Sequence, residues 1–392
     1  MKRIAIVGGG PSGLFLAILL KRKLPSVQVE VFEQNRQDAT FGFGIILSQT
    51  GLRRIGLADR ETADAIIAAS YLTRNRVFAH RGKSIYIEGG ADGYAIARLK
   101  LLDVLLDVCV KAGVPVTYEA RIENPDQLDA DLVVGADGVN SIVRRAYEGQ
   151  FASSTWTLTN RLAWYGTTKH FPQPVLIFKT TEFGNFWTAA YPHAADMSTF
   201  VAECDADAWC RSGMNKMTDI ERQAFTERIF ADELEGHPLL NNKSNWMSLP
   251  VTRCAQWSVD HRVLVGDALH SPHPSIGSGT LIAMEDSIGL ANAIVANPAN
   301  AREACAEYQR VHSPHADKLV HAAEKSFAWY EDIGPKLASL DAVDLAFDFM
   351  TRTGRVDERR LWAEYPAFME SHKERWSAWA SGQGSERVLV AT

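Results

Sequence analysis

An apolar, β-branched run, Arg3–Val7, passes without a break into Gly8-Gly9-Gly10-Pro11-Ser12-Gly13 and then into a helical repeat through Leu14, Ala17, Ile18 and Leu20. Few folds accommodate that order. A strand that ends in a tight glycine turn and continues as a helix opens a parallel, doubly wound sheet. A second strand, Gln28–Phe32, ends at Glu33, twenty residues past Gly13. In such a unit Gly8 permits the turn, Gly10 lets the backbone approach a pyrophosphate, and Gly13 lets the helix pack on the strand. Pro11 and Ser12 open the helix, where amide donors and the helix dipole favour a phosphate. Glu33, followed by Gln34, can accept both hydroxyls of an adenosine ribose. The loop therefore predicts a dinucleotide site, but it does not by itself separate FAD from NAD.

Beyond Glu33 strands and helices alternate. Tyr71–Ile87 alternates like a hairpin with a turn at Arg81-Gly82. Leu99–Val110 is an amphipathic helix, expected to turn Leu99, Leu102, Leu106 and Val110 inward. Val114–Tyr118 and Asp131–Val134 return to strand character, and the latter runs into Gly135-Ala136-Asp137-Gly138. From Trp156 to Cys204 the texture is that of an antiparallel sheet, with a turn at Phe183-Gly184-Asn185. Arg262–Val265 is a strand leading into Gly266-Asp267, and helical patterns fill most of the chain beyond it.

A chain of 392 residues is too long for one ordinary core. The pattern predicts an α/β fold with a Rossmann-like dinucleotide-binding domain, an inserted antiparallel β-sheet domain and C-terminal helices. The expected boundaries are 1–70, 95–155 and 255–300 for the nucleotide domain, 71–94 and 156–254 for the inserted sheet domain, and 301–392 for the helical region.

Bulk properties exclude several classes. A net charge of −6 argues against a nucleic-acid partner. Lys21-Arg22-Lys23 and Arg144-Arg145 read as solvated helix ends. Cys109, Cys204, Cys210, Cys254 and Cys305 are scattered and form no CxxC or CxxH pair, so reduced thiols in a cytoplasmic protein are expected. Leu14–Leu20 is too short to span a membrane, and Glu285 and Asp286 interrupt Ile282–Ala296, so no membrane partner is expected. Asp267, His270 and His273 have a spacing that a metal could exploit, but no metal is assigned there.

Three ordered segments carry a family resemblance. Leu132–Ser141, closely followed by Arg144-Arg145, resembles the second motif of the aromatic-ring hydroxylases of the para-hydroxybenzoate hydroxylase superfamily. Val265–His270, continuing through Pro274, Gly277, Gly279 and Asp286, resembles their third. Gly42–Leu57, with Gly44 and Ile45, is similar to the loop and helix that edge the flavin ring, and Arg98 matches an arginine that reaches the cofactor. Many members have Gln and Asn where this chain has Ser278 and Thr280. That departure, with Phe41–Gly44, Trp164–Thr168 and Ser198–Glu203, resembles the branch of salicylyl-CoA 5-hydroxylases, aminobenzoyl-CoA monooxygenases and the violacein-pathway indole hydroxylase.

The resemblance implies that the Rossmann-like domain is an FAD-binding domain and the inserted antiparallel β-sheet a substrate domain, with FAD non-covalent, Asp267 on a ribityl hydroxyl and Asp137 supporting the site indirectly. Gly277, Ser278, Gly279 and Thr280 would open a helix aimed at the flavin pyrimidine edge, where reduced flavin carries negative charge. It further implies that NADH or NADPH binds transiently as hydride donor, since the glycine fingerprint occurs once. Dioxygen is then captured as a flavin C4a-hydroperoxide that attacks an electron-rich aromatic ring. A salicylyl-CoA-like thioester is the favoured substrate. The alternatives are an FAD enzyme of the same fold acting on an indole-derived or amine substrate, and a non-catalytic flavin-binding protein. No catalytic acid or base is identified. Trp187, Tyr191 and His193 share one strand face and either line the aromatic pocket or belong to the core. A monomer or homodimer is expected.

Overall fold

The computed structural model describes residues 1–39, 42–243, 245–271, 273–277 and 279–380, with side chains to residue 376. Phe41, Ser278 and the side chain of Trp379 lie outside the described residues. The chain forms two compact units. Unit 1 comprises 1–71, 94–158 and 248–324; unit 2 comprises 72–93, 159–247 and 325 onward. The helical residues after 300 are thus divided between the units and do not form a third body.

Unit 1 is built on a six-stranded sheet in the order Ser258–Val259, Arg262–Leu264, Leu132–Gly135, Arg3–Val7, Gln28–Phe32, Val116–Thr117. All neighbours are parallel except the antiparallel first pair. The register matters for function. Val7 pairs with Phe32 on one side and with Gly135 on the other, and Gly135 pairs with Leu264. Four strands therefore end level, and the segments after them, Gly8, Glu33, Ala136-Asp137 and Gly266-Asp267, emerge along one edge. In open parallel sheets that carboxyl edge is where ligands bind.

The helix Pro11–Lys23 is buried from Ser12 to Leu20 without a polar stripe, as a helix enclosed on all sides must be. It packs against the helices Arg98–Lys111 and Gly279–Ala296. The last is long and apolar enough to cross a membrane by length and composition, yet 61% of it is buried within the protein.

Two expectations are corrected. In Arg98–Lys111 the buried face is Leu101, Val104, Leu105, Val108 and Cys109, while Val110 is 67% exposed. Apolar residues flank the charged stripe of Lys100, Asp103, Asp107 and Lys111 on both sides, so periodicity alone does not choose between them. Contact with the Pro11–Lys23 helix does, down to Cys109 Sγ against the Leu14 carbonyl at 3.4 Å. Nor is Arg144 a solvated helix end. It is buried, and its Nη1 donates to the Ala268 carbonyl at 2.7 Å.

Unit 2 holds a seven-stranded sheet in the order Leu239–Leu240, Arg161–Thr167, Ser198–Cys204, Gly184–Pro192, Val175–Thr181, Arg76–His80, Lys83–Ile87. Arg81 and Gly82 join the last two strands with φ of 51° and 72°, the left-handed pair that a two-residue hairpin turn requires. One face buries Tyr165, Phe186 and Phe200 against the helices Ala206–Arg211 and Asp219–Ile229. The other buries Phe78, Phe178 and Trp187 with Trp329, Tyr330, Phe347 and Trp376 from the C-terminal helices.

Candidate active site

The glycine loop is shaped by contacts that a side chain would destroy. Gly8 has φ of +109°, and a Cβ there would lie 2.3 Å from the Ala136 carbonyl oxygen. A Cβ on Gly13 would lie 2.1 Å from the Gly8 oxygen. Gly10 is different. Its φ is an ordinary −74°, and a Cβ would meet nothing within 4 Å. The space over Gly10 lies at the N-terminus of a helix whose first amides point outward, which is the cradle a pyrophosphate needs. Glu33 is half-buried and already oriented. Its Oε2 accepts the Gly9 amide at 2.8 Å, and its Oε1 accepts the Asn35 amide and side chain at 2.8 and 2.7 Å. Gln34 is exposed beside it.

Asp137 accepts the Ile142 amide at 2.7 Å at the start of the helix Ile142–Ala146, whose N-cap is Ser141. Its other oxygen is buried and has no partner among the described residues. Burial pushes this carboxyl above the ordinary range. Asp267 stands in the turn Gly266–Ala268. Its side chain reaches solvent although protein surrounds it, as happens for a residue lining an open cleft. That enclosure raises its carboxyl, and the Arg98 guanidinium and His270 pull it back. The Arg98 amide in turn donates to the Phe43 carbonyl at 2.7 Å, tying the helix start to the loop before buried Gly44 and Ile45.

Past the third motif, Pro274–Ile276 forms a short turn that ends at Gly277 with φ of +60°, and the helix begins at Gly279-Thr280. His273 Nδ1 accepts the Ser275 amide at 3.1 Å. The residues present thus fit FAD: an open cradle at Gly10, a ribose-side acid at Glu33, and a cleft-lining carboxylate at Asp267.

Sequence reasoning missed what lies beneath this edge. Asp286, fully buried, accepts the Gly266 amide at 2.9 Å, His270 Nε2 at 2.7 Å and His312 Nε2 at 3.0 Å. Burial alone would raise its pKa, but the charge and hydrogen bonds of the two rings hold it down to about 2. For His270 burial opposes the charged ring, and Asp286 outweighs it and raises the pKa. Next to it Glu285 takes Arg54 at 2.8 Å and His315 at 2.6 Å. Gly289 makes room for His312, whose ring a Cβ would meet at 2.7 Å. The signal was in the sequence: two adjacent acids inside an apolar helix, and His312 and His315 on the next helix.

In unit 2, Trp187 is covered by Tyr330, with ring centroids 5.7 Å apart, and its Nε1 donates to buried Glu203 at 2.9 Å. Burial pushes that carboxyl up to about 8, so it is largely protonated at neutral pH. Trp187 is core. Tyr191 and His193 lie further along the same strand face, also largely buried, with Thr199 Oγ1 2.9 Å from His193 Nδ1. Burial lowers the His193 pKa, so its ring is neutral at pH 7.

A single glycine-loop sheet with acids gathered at its carboxyl edge defines a dinucleotide-binding protein of the Rossmann-like class. Comparison with known proteins specifies the dinucleotide as FAD. A model of the NAD(P)-binding Rossmann-like domain matches residues 6–39, and one of the FAD binding domain matches residues 110–323. The chain is 34% identical over 361 residues to a salicyloyl-CoA 5-hydroxylase of Streptomyces sp, covering 90% of this chain and 70% of that protein. It is 30% identical to the 3-hydroxy-4-methyl-anthranilyl-[aryl-carrier protein] 5-monooxygenase of Streptosporangium sibiricum, covering 92% and 97%. It is 27% identical to protodeoxyviolaceinate monooxygenase of Chromobacterium violaceum, covering 86% and 90%. Among solved structures, a tetrameric form of 2-methyl-3-hydroxypyridine-5-carboxylic acid oxygenase shares the fold, with a TM-score of 0.69, 20% identity, and coverage of 92% and 95%. The chain belongs to the FAD-dependent aromatic hydroxylases, in the branch of these thioester and indole-pathway enzymes. It is an FAD monooxygenase that uses NAD(P)H.

Asp267 offers a direct test of the cofactor site. Removing its carboxylate with Asp267→Ala deletes a charged acceptor, at a cost of about 1–3 kcal/mol. FAD affinity, read by flavin fluorescence titration, is expected to fall roughly ten- to a hundred-fold. Unchanged affinity would make Asp267 a turn residue only.

Proposed function

We propose that this enzyme hydroxylates an aromatic ring bearing a hydroxyl or amino group and presented as an aryl-CoA thioester, a salicylyl- or aminobenzoyl-CoA. The observation that carries the reading is the 34% identity to a salicyloyl-CoA 5-hydroxylase across 90% of this chain. In the net reaction one atom of dioxygen enters the ring, the other leaves as water, and NAD(P)H supplies the two electrons.

Unit 1 is the FAD domain and unit 2 the substrate domain. FAD, when bound without a covalent link, supplies hydride acceptance and oxygen activation. The chain does the rest. Gly8, Gly10, Pro11, Ser12 and Gly13 seat the pyrophosphate, Glu33 and Gln34 face the adenosine ribose, and Asp267 holds a ribityl hydroxyl. Gly277–Thr280 amides, with Pro274 before them, stabilise negative charge at the flavin pyrimidine edge. Gly44, Ile45 and Arg98 edge the ring, and Asp137 braces the loop beneath. In the substrate domain Tyr191 and His193 line the ring's site. A neutral His193, oriented by Thr199, can accept the proton that a ring hydroxyl gives up as the ring is hydroxylated.

An indole-derived ring is the second reading, favoured by the 27% identity to protodeoxyviolaceinate monooxygenase. Steady-state assays with salicylyl-CoA, aminobenzoyl-CoA, the free acids and tryptophan-derived indoles decide between them. The thioesters are expected to stimulate NAD(P)H oxidation and give a product heavier by one oxygen. Coupled hydroxylation of free acids or indoles, with inert thioesters, would overturn the thioester reading and leave the hydroxylase.

A further inference from the structure

We propose that unit 2 carries a binding site for the phosphates of a coenzyme A thioester, formed by Arg355, Arg359, Arg360 and Lys325. The proposal rests on the thioester reading above and gives it the basic cluster that no sequence motif announced.

A cavity of about 510 Å³ opens at the surface of this unit, lined by Gly354, Arg355, Asp357, Arg359, Arg360 and Ala363. That volume lies within the range of small-molecule sites, roughly 300–1,000 Å³. No aromatic or large aliphatic side chain lines it, so whatever it holds is held by charge. Lys325 adds a fourth cation: its Nζ would lie 3.2 Å from a Cβ on Gly354, a residue whose φ of +68° turns the chain toward the arginines.

Two of the nearby carboxylates already accept hydrogen bonds from within this segment. Asp357 Oδ1 accepts the Arg360 amide at 2.8 Å, and Glu364 takes Arg360 Nε at 2.6 Å. Arg360 Nη1 donates to the Arg355 carbonyl at 3.2 Å, which ties the Arg360 side chain to the backbone at the cavity's start. Among the described residues, neither Arg359 nor Lys325 pairs with a carboxylate. An ordinary solvated surface interleaves the two signs. Along this cavity the basic side chains Arg355, Arg359 and Arg360 outnumber the single lining acid, Asp357. Guanidinium groups match phosphate oxygens two bonds at a time. Coenzyme A offers a 3′-phosphate and a diphosphate; a free aromatic acid offers neither. NADPH carries similar phosphates, so the test must separate the two sources.

The experiment uses the FAD-loaded enzyme, with the double variant Arg355→Ala/Arg359→Ala and the charge reversal Arg359→Glu. Flavin content per chain reports folding, and Arg359→Glu provides a single-site check should the double variant lose flavin. Free coenzyme A is expected to inhibit the wild type competitively against salicylyl-CoA. Both variants should weaken that inhibition and raise the KM for the thioester, roughly ten- to a hundred-fold for the double variant. 3′-Dephospho-CoA should inhibit the wild type less than coenzyme A does, and the variants should narrow that gap. Equal inhibition of wild type and variants would overturn the site while leaving the thioester reading intact. A shift confined to the KM for NADPH would assign the arginines to the nicotinamide cofactor and overturn it as well. Failure of coenzyme A to bind the wild type, with thioesters inert, would remove the reading and the proposal together.

Discussion

Gly10→Val is expected to yield a folded protein that purifies without FAD. The three glycines of the loop fail for different reasons, and the structure separates them. Gly8 and Gly13 are required by the protein itself, since a Cβ on either would lie within 2.3 Å of a backbone oxygen. Gly10 has a φ any residue can adopt and open space where its side chain would point. A valine there costs the fold little beyond a weaker helix cap, about 1 kcal/mol or less. What it fills is the room for the pyrophosphate. Far-UV circular dichroism should match that of the wild-type apoprotein, which is the correct reference because bound FAD adds its own stabilisation. The flavin-to-protein ratio should fall close to zero, and Gly10→Ala should lie between. A Gly10→Val protein that retains full FAD occupancy would show that this glycine does not face the cofactor. Gly13→Ala should instead lose soluble protein, because the clash is with the Gly8 backbone.

This difference among glycines shows what was legible in the sequence and what was not. The order strand, glycine turn, helix, strand, acid was readable because each step is local: β-branched runs, turn residues and helical spacing lie within some thirty residues. The second and third motifs were readable by resemblance, and the parallel register then places them along one edge. Choices made by tertiary contact were not readable. The apolar residues of Arg98–Lys111 flank the charged stripe on both sides, and only the neighbouring helix selects the inward set. Arg144 looked like a solvated end because its acceptor, the Ala268 carbonyl, lies 124 residues away. Trp187 could have been pocket or core from its alternation alone, and Tyr330, supplied by a C-terminal helix, makes it core. The basic cavity around Arg359 carries no motif, since it depends on where neighbouring carboxylates spend their hydrogen bonds.

The buried network under the third motif leads to the second large effect. Asp286 joins the Gly266 amide, His270 and His312, so Asp286→Ala strips three donors of their acceptor at once. Breaking a buried ion pair by removing one partner costs about 3–5 kcal/mol. The melting temperature at pH 6 should drop on the order of 10 °C. The pH dependence gives a sharper test than the size of the loss. Asp286, held down to about 2, contributes stability above its unfolded value near 4, and loses it only as pH falls toward 2. His270, raised, contributes stability fully below its unfolded value near 6.5 and loses it as pH climbs through its folded value. The pair is therefore intact between about pH 4 and 6.5, and wild-type stability should decline above that window. His312, Asp267 and Asp317 also act on these groups, but each acts through the Asp286–His270 pair or is weaker than it. Asp286→Asn keeps the shape and removes the charge that raises His270. Its stability should be nearly flat from pH 6 to 9, where the wild type slopes downward. Because the Gly266 amide that Asp286 holds sits directly before Asp267, the same variant should also bind FAD more weakly. Parallel slopes for wild type and Asp286→Asn across that range would mean that His270 carries no charge in the folded protein, and that the network is a set of neutral hydrogen bonds.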